Sequence, residues 1–476
     1  MTRDDVPCVT RGIRKTLLGV VPVVIIAACW YCMPEKDAFG IWMDRSPIKV
    51  GVLHSLSGTM AVSEGSVVDA TLLAIAEINE QGGVLGRKIE PVVVDGKSDG
   101  PTFAQGAERL IVDEKVSAVF GCWTSASRRT VKSIFEKHNH LLFYPVQYEG
   151  LEASPNIVYT GAAPNQQIIP AVKWCMDNLG SRVFLVGSDY VFPRTANAIV
   201  KDQVVALRGR IVGEEYILLG SSDVHGAVQA IKQAKPDVIL NTINGDSNAA
   251  FFHELRAAGI GSQDIPVMSF SIAENELRSL PDADTLAGDY ACWNYFQSID
   301  KDENRRFERA FKTRYGNDRV TNDPMEAAYF GVHLWAQAVQ EAGSPRVAKV
   351  LTSIKDQSIV APEGMVCISG ENNHTWKTVR IGQIMEDGQF DIVWSSNKPI
   401  RPVPYPVYRS RSEWDTFLQG LYVGWGNKWP MTVGQEFSVP VIANPGNQRC
   451  SNAILSCSLE CPQDWHAGSC CWQWFP

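Results

Sequence analysis

The stretch Ile48-Lys49-Val50-Gly51-Val52-Leu53 is short and almost continuously apolar, as expected of a strand buried on both faces of a parallel sheet. A helix is predicted over Val67 to Asn79, where the apolar residues fall on one stripe and Gly82-Gly83 ends it. A second strand is predicted over Glu90 to Val94. The order strand, helix, strand indicates a right-handed crossover between parallel strands.

The same unit repeats as far as about residue 290. Further strands are predicted at Ala118 to Gly121, Leu141 to Tyr144, Arg182 to Val186, Ile211 to Tyr216, Val238 to Asn241 and Val267 to Phe270. Because so many strands and helices exceed one ordinary core, we expect two doubly wound sheets, with the first change of lobe near Thr160 to Pro164. After Asp289 the pattern predicts helices, Arg305 to Tyr315 and Met325 to Ala342, and then a strand pair, Lys377 to Met385 and Phe390 to Trp394.

Residues 1–33 are typical of an export signal, because basic side chains precede an apolar run from Leu17 to about Met33. The run contains Ile26-Ala27-Ala28-Cys29, which resembles the lipobox of bacterial lipoproteins and would make Cys29 the site of lipid attachment. An uncleaved signal anchor and an ordinary cleaved signal are the alternatives. Each interpretation places the chain from about residue 34 onward outside the cytoplasm, in the first two cases attached to the membrane.

The composition is that of a globular protein, with 45% apolar and 20% charged residues. The formal net charge of −8 and the absence of long charged runs argue against nucleic acid as a partner. Residues 401–430 are rich in Pro and Trp and are predicted to wrap the fold in an extended form. Residues 431–476 form a Cys-rich tail of open role, and five of its cysteines suggest a disulfide-stapled unit: Cys450, Cys457, Cys461, Cys470 and Cys471.

No catalytic signature is present in the sequence. It contains no HExxH, no GxSxG, no phosphate-binding GxxxxGK[ST] and no GxGxxG after a strand. The sequence therefore predicts a protein that is not an enzyme and that uses no cofactor and no metal.

Polar and aromatic side chains gather instead after the predicted strands, where ligands bind in open α/β sheets. Taken singly, each of these loops fits ordinary turn and cap chemistry, but five of them on two lobes favour a ligand cleft. Ser125 also begins a helix, whose free amides suit a carbonyl or an anion. The candidate ligand-binding residues are Trp123, Thr124, Ser125, Tyr144, Gln147, Tyr148, Tyr190, Asp246, Ala273 and Glu274.

Several of these segments also carry a family resemblance. They are Val50 to Gly58 (VGVLHSLSG), Gly121 to Arg128 (GCWTSASR), Leu142 to Gly150 (LFYPVQYEG), Gly187 to Arg194 (GSDYVFPR) and Asp323 to Tyr329 (DPMEAAY). Together they resemble the urea-binding subfamily of urea ABC transporters, which is related to the short-chain amide-binding proteins among type I periplasmic binding proteins. The resemblance covers about residues 47 to 400 and leaves the Cys-rich tail outside.

The resemblance implies a two-lobe Venus flytrap fold, each lobe a doubly wound parallel sheet, with three crossovers. Lobe I would take residues 47–163 and about 288–365, and lobe II residues 164–287 and about 366–400. In the amide-binding family, an aromatic residue, a serine and a tyrosine hold the ligand, which here match Trp123, Ser125 and Tyr144. Gln147 would occupy the next pocket position. The second lobe would close with Tyr190, Asp246 and the segment around Ala273 and Glu274.

The implied function is capture of urea or a short-chain amide outside the cytoplasm and its delivery to ABC permease subunits in the membrane. Urea has four N–H donors and one carbonyl, so its pocket must supply acceptors. Asp246, Glu274 and Gln147 are the predicted acceptors, while Ser125 and Tyr144 can donate to the carbonyl. Two alternatives remain: an amino-acid-binding protein of the same fold, with Asp246 serving the ammonium, and a ligand-sensing regulatory module.

Overall fold

The structure is a computed structural model that describes residues 45–430. The predicted export signal with its lipobox at Cys29 and the Cys-rich tail at 431–476 lie outside the described residues. Over the described residues the strands are, in chain order, β1 (Ile48–His54), β2 (Ile89–Asp95), β3 (Val119–Gly121), β4 (Leu142–Tyr144), β5 (Ile157–Tyr159), β6 (Arg182–Ser188), β7 (Arg210–Ile217), β8 (Val238–Thr242), β9 (Val267–Ser269), β10 (Tyr290–Trp293), β11 (Ser358–Ala361), β12 (Gly364–Ile368), β13 (Thr375–Trp376), β14 (Arg380–Ile384) and β15 (Phe390–Ser395).

The helices occupy most of the chain between these strands. They are α1 (Ala61–Glu80), α2 (Gly100–Glu108), α3 (Ser125–Lys137), α4 (Ile168–Asn178), α5 (Val191–Ala206), α6 (His225–Ala234), α7 (Ser247–Ala257), α8 (Glu274–Ser279), α9 (Asp302–Tyr315), α10 (Asp323–Ala342), α11 (Val347–Ser353) and α12 (Arg411–Gly424). Shorter helical turns lie at Arg109–Asp113, Pro164–Gln166 and Ala283–Leu286. None of the helices in residues 45–430 is both long enough and apolar enough to cross a membrane.

The first lobe is built on a parallel five-stranded sheet in the order β2-β1-β3-β4-β5. Its strands are short and buried, and α1 and α10 pack together over one face. In that layer Phe120 of β3 meets Trp335 of α10 edge to face, with ring centroids 6.0 Å apart. The carboxyl ends of β1, β3 and β4 therefore meet at one edge, as the sequence pattern predicts.

The second lobe is built on a seven-stranded sheet in the order β15-β14-β10-β9-β8-β6-β7. The strands from β10 to β7 along this order are parallel, whereas β14 and β15 add an antiparallel edge. The predicted strand pair at the end of the domain is thus confirmed, and each of the eight predicted parallel strands is present. The chain crosses three times between the two sheets, as the two-lobe fold implied by the resemblance requires.

Two predicted lobe boundaries need correction. Strand β10 pairs with β9 through Tyr290 and Met268, so the second lobe extends past 287 to about Trp293. Strand β13 pairs with β12 in a separate three-stranded sheet, so the last crossing follows Trp376 rather than 365. The first exchange of the chain between the two sheets lies between β5 and α4.

Residues 401–430, which we call the strap, pack against the second lobe. The prediction of an extended segment holds only for its proline-rich start, because α12 follows it. The N-terminus of α12 is fixed by a capping box, in which Ser410 and Glu413 each bind the other's backbone N–H. The spacing Ser410-x-x-Glu413 was the signal in the sequence that would have found this helix.

Candidate functional site

The carboxyl ends of the two parallel sheets face each other across a cleft, and the lobes touch there directly. Hydrogen bonds across the cleft join Ser63 Oγ to Glu276 Oε1 (2.7 Å), Gln147 Nε2 to the Phe270 carbonyl (2.8 Å), Asn275 Nδ2 to the Val62 carbonyl (2.9 Å) and Trp123 Nε1 to Asn244 Oδ1 (3.5 Å). The structure therefore represents the closed arrangement of the lobes.

Trp123 and Tyr144 form one wall of the cleft. Cys122 ends β3 with a left-handed backbone (φ 67°), and its N–H binds the Leu53 carbonyl of β1 at 2.9 Å. This turn delivers the buried Trp123, whose indole N–H reaches Asn244 of the other lobe. The Tyr144 hydroxyl donates to the Trp123 carbonyl at 2.6 Å, so it holds the loop and is already engaged.

Gln147 lies at the centre of the contact between the lobes. Its side chain is 4% exposed, and its amide N–H₂ donates across the cleft to the Phe270 carbonyl. Its Oε1 is buried and has no hydrogen-bond partner among the described residues. A buried acceptor left unpaired costs about 1–3 kcal/mol, which makes this oxygen a natural partner for a ligand N–H.

His54 is a cleft residue that the sequence analysis did not select. It ends β1, and its Nδ1 lies 2.9 Å from Glu64 Oε2, which also accepts the Ser55 N–H at 2.8 Å. Because a carboxylate accepts rather than donates, we assign the proton to Nδ1, which leaves Nε2 as an acceptor. That Nε2 is buried and has no partner in residues 45–430. Its position at the end of the first strand was the available signal.

Ser125 is held inside the first lobe by a buried ion cluster. Its hydroxyl donates to Glu149 and accepts from Arg128 Nη1 at 2.9 Å. Arg128 is 0% exposed and also donates to Glu152 Oε1 at 3.0 Å. The Thr124 hydroxyl caps α3 by accepting the Ser127 N–H at 3.0 Å. The hydroxyls of Thr124 and Ser125 are therefore both bonded within lobe I. The backbone amides at the start of α3 are then the donors left for a ligand carbonyl.

The two remaining tyrosines have different environments. Tyr148 stacks on Tyr159 at 5.1 Å between ring centroids, and its hydroxyl donates to the Glu152 carbonyl at 3.0 Å, so it belongs to the lobe I interior. Tyr190 follows β6 in lobe II and is buried. Burial is the main effect that raises the pKa of the Tyr190 phenol, and Arg128 opposes it. Its ring centroid lies 6.3 Å from that of Phe192, and its role in ligand binding stays a prediction.

Asp246 does not lie in a dry pocket, which corrects the prediction for that residue. Its side chain is exposed at the start of α7 and makes no capping hydrogen bond. The buried side chain of the same loop is Asn244, which is 2% exposed and meets Trp123 across the cleft. The loop was identified correctly, but Asn244 is the residue that the fold turns inward.

Ala273 and Glu274 are buried beside the second chain crossing. Ala273 is the residue before α8, and its backbone N–H donates to Glu276 Oε2 at 3.3 Å. Glu274 Oε1 accepts the Gln297 N–H at 2.6 Å, while its Oε2 has no partner in the described chain. Burial raises the pKa of the Glu274 carboxyl to about 8. A protonated Glu274 would offer a donor rather than the predicted acceptor at neutral pH.

This arrangement defines a class of proteins, those that hold a small molecule between two parallel-sheet lobes. The sequence profile of the periplasmic binding protein domain matches residues 48–411, and the chain belongs to that family. It is accordingly an extracytoplasmic solute-binding protein with the type I periplasmic binding protein fold. The homologues are components of transport systems and not enzymes.

Individual proteins match this chain either at low sequence identity or over a short part of its length. A Leu/Ile/Val-binding protein homolog 6 of Brucella melitensis is 24% identical over 353 residues, which are 72% of this chain and 89% of that protein. A solute-binding protein of an ABC transporter from Rhodopseudomonas palustris HaA2, solved with p-hydroxybenzoic acid, has a TM-score of 0.68 at 24% identity, covering 74% of this chain and 98% of that one. A protein of Geobacillus stearothermophilus named limonene hydroxylase is 42% identical over 118 residues, which are 25% of this chain and 22% of that protein's length.

Proposed function

We propose that this protein captures urea or a short-chain amide between its two lobes and delivers it to the permease subunits of an ABC transporter. The observation that carries the proposal is the buried and unpaired Oε1 of Gln147, a residue whose amide nitrogen already joins the two closed lobes. An amide N–H would pair this oxygen and remove its desolvation cost. His54 Nε2 offers a second buried acceptor at the end of β1, two strands from β4 in the same sheet.

The charges around the cleft support a neutral ligand. Arg128 and Arg129 are the cations beside Ser125, and both are bound by Glu149 and Glu152. A carboxylate ligand would have to compete with these buried pairs or lose its own hydration without a partner. Urea and simple amides carry no charge and avoid that cost.

The small size of urea limits the affinity that this site can reach. Urea has four heavy atoms, and at a ceiling of about 1.5 kcal/mol per atom it gains at most roughly 6 kcal/mol. The corresponding dissociation constant is on the order of tens of micromolar. Tighter binding requires a preorganised cleft, which the hydrogen bond from the Tyr144 hydroxyl to the Trp123 carbonyl supports on the lobe I side.

An amino acid is the second candidate ligand, because the Brucella relative is named for Leu, Ile and Val. Its ammonium would need an acceptor with negative charge, and the unpaired Glu274 Oε2 is a buried carboxylate oxygen of lobe II. The raised pKa of Glu274, about 8, works against that role at neutral pH, since the carboxyl holds its proton.

Replacing Gln147 with methionine is expected to weaken urea binding about tenfold or more. The variant keeps the length of the side chain but removes the Oε1 acceptor and the bond to the Phe270 carbonyl. Isothermal titration of the mature protein with urea, acetamide and leucine measures the effect. Urea should bind best, because acetamide places a methyl group where urea offers two N–H donors.

The matched control is Gln105→Met on an exposed face of α2, which should leave urea affinity within about twofold. Asp246→Ala should also have a small effect, given its exposed side chain. Leucine binding more tightly than either amide would favour the amino-acid alternative. Parental urea affinity in Gln147→Met would remove the proposed role of its acceptor.

Membrane attachment through Cys29 is part of the same proposal. If the Ile26 to Cys29 segment is a lipobox, radiolabelled fatty acid should enter the parent protein and be lost in Cys29→Ala, with Cys32→Ala as the matched control. A label that persists in Cys29→Ala would exclude lipid attachment at this residue. Export of the chain favours transport over the alternative of a cytoplasmic sensing module.

A further inference from the structure

The strap belongs to the second lobe through a large apolar contact. Trp414 and Trp425 are buried in the core that contains α5. Arg409 adds a bidentate ion pair with Asp202 of α5, at 2.6 Å and 2.9 Å. The strap also follows β14 and β15 directly, so it moves with lobe II.

The beginning of the strap nevertheless touches the first lobe. The Pro404 carbonyl accepts the Leu151 N–H at 2.8 Å. Gly150 has φ 73°, and a Cβ added there would lie 2.1 Å from the Pro404 carbonyl oxygen. This close approach requires glycine, and it holds the strap against the lobe I segment that carries Gln147.

Trp429, near the end of the strap, contacts both lobes. On the lobe I side, the guanidinium carbon of Arg129 lies 4.8 Å from the Trp429 ring centroid. On the lobe II side, the Trp429 carbonyl accepts the Val191 N–H at 3.1 Å, and Pro430 forms a β-bridge with Tyr190. Arg129 in turn donates to Glu149 Oε1 at 3.1 Å, and Glu149 holds the Ser125 hydroxyl.

We propose that the strap is a latch that fastens the closed arrangement, with Trp429 as the residue that joins lobe II to Arg129 of lobe I. Opening of the cleft separates Trp429 from Arg129, while the contacts of Trp429 with Val191 and of α12 with α5 stay intact. The latch therefore stabilises only the closed form. It slows ligand release and has little effect on ligand entry, which occurs from the open form.

The latch rests on the opening and closing of the lobes in the proposed function, but its test also works without a ligand. Trp429→Ala should shift ligand-free protein toward the open form, seen as a larger radius of gyration in small-angle scattering. With urea as the probe, the dissociation rate followed by tryptophan fluorescence in stopped flow should rise about fivefold, the scale of one partly exposed cation–π contact. The association rate should stay unchanged.

Trp429→Phe keeps an aromatic face for Arg129 and should restore most of the parental release rate. The matched control is Trp174→Ala, which removes a half-buried tryptophan that packs on Tyr290 within lobe II. This control should leave both the scattering and the release rate at parental values. If Trp429→Ala does not fold, Arg129→Lys tests the same contact, because lysine keeps the charge and loses the planar group.

A Trp429→Ala variant with parental scattering and a parental release rate would overturn the latch. A ligand-free parent already as extended as this variant would overturn it too. If urea binds neither parent nor variants, the proposed ligand fails, while the scattering comparison still decides whether the strap fastens the lobes.

Discussion

Arg128→Met is expected to lower the free energy of unfolding by about 3–5 kcal/mol, the usual cost of removing one partner from a buried ion pair. Arg128 is fully buried, and its guanidinium binds Glu149, Glu152 and the Ser125 hydroxyl. It also lies 4.5 Å from the Tyr148 ring centroid. Methionine fills a similar volume but leaves two carboxylates in the protein interior facing Arg129 alone.

The loss of unfolding free energy in Arg128→Met should become smaller as the pH falls from 7 to 4. Burial by itself would raise the pKa of Glu152, but Arg128 and Arg129 overcome this effect and lower it to about 2. In the parent protein, the ion pair of Glu152 with Arg128 stabilises the fold at pH values above the ordinary pKa of glutamate. This stabilisation is lost as the pH falls toward 2. In Arg128→Met the buried Glu152 takes up a proton more readily, so acid stabilises the variant relative to the parent.

Guanidinium chloride denaturation followed by circular dichroism measures both effects, and it avoids urea, the proposed ligand. Arg309→Met on an exposed face of α9 is the matched control and should change the free energy of unfolding by less than about 0.5 kcal/mol. A loss below 1 kcal/mol in Arg128→Met, independent of pH, would mean that water reaches the cluster. The free energy of unfolding of Arg128→Lys should lie between those of Arg128→Met and the parent protein. Lysine keeps the positive charge but loses the several N–H donors of the guanidinium.

The fold was largely predictable because a parallel strand buried on both faces produces a continuous apolar run. Such apolar runs predict the strands β1, β6 and β8. The helices between successive strands then imply the crossover connections. Strand β5 was missed because no helix separates it from β4, so it departs from the strand and helix alternation on which the prediction rests. Strand β10 was missed because its pattern coincides with the point where the lobes exchange the chain, and only its pairing with β9 assigns it to the second sheet.

The site was predictable at the level of loops and less so at the level of side chains. Trp123 and Gln147 follow adjacent strands, so topology alone brings them to one edge of the sheet. Asn244 and Asp246 lie two residues apart in one turn, and no periodicity states which of them faces inward. The packing of that turn against the lobe I loop, where Thr59 meets Gly245, buries Asn244 and exposes Asp246.

Ion pairs between distant segments were the least predictable feature. Glu149 stands in the segment that resembles the urea-binding family, yet its role is to hold Arg128, Arg129 and the Ser125 hydroxyl. A local pattern cannot reveal this, since the partners come from α3 and from a loop after β4. The consequence is that Ser125, predicted as a ligand residue, contributes its hydroxyl to the structure of the loop instead.

Lys377 is a second buried charge whose partners come from distant segments, and it lies where the three chain crossings meet. Its ammonium is fully buried and donates to the Thr160 carbonyl of the first crossing at 3.2 Å. Three carboxylates surround it, Asp323 and Glu326 at 3.9 Å and Glu363 at 3.4 Å. Asp323 in turn accepts two backbone N–H groups of the second crossing, from Asn294 and Tyr295, at 2.9 Å each.

Lys377→Met is therefore expected to cost about 3–5 kcal/mol of unfolding free energy, because three acidic groups lose their shared cation. Burial opposes the charge of Lys377, but Asp323, Glu363 and Glu326 outweigh it and raise its pKa. Lys398→Met, at an exposed position after β15, is the matched control and should be nearly neutral. Guanidinium chloride denaturation again gives the free energies.

The pH dependence of this second variant separates it from a simple loss of packing. Burial raises the pKa of Glu363 to about 7 even though Lys377 and Arg380 act to lower it, so without Lys377 it should rise further. A carboxyl with a raised folded-state pKa contributes stability at low pH that is lost as the pH rises through that pKa. The deficit of Lys377→Met should thus be larger at pH 8 than at pH 5, and Glu363→Gln added to it should recover part of the loss at pH 8. A deficit that is constant over this range, or that the second substitution deepens, would show that the carboxylates are not what Lys377 compensates.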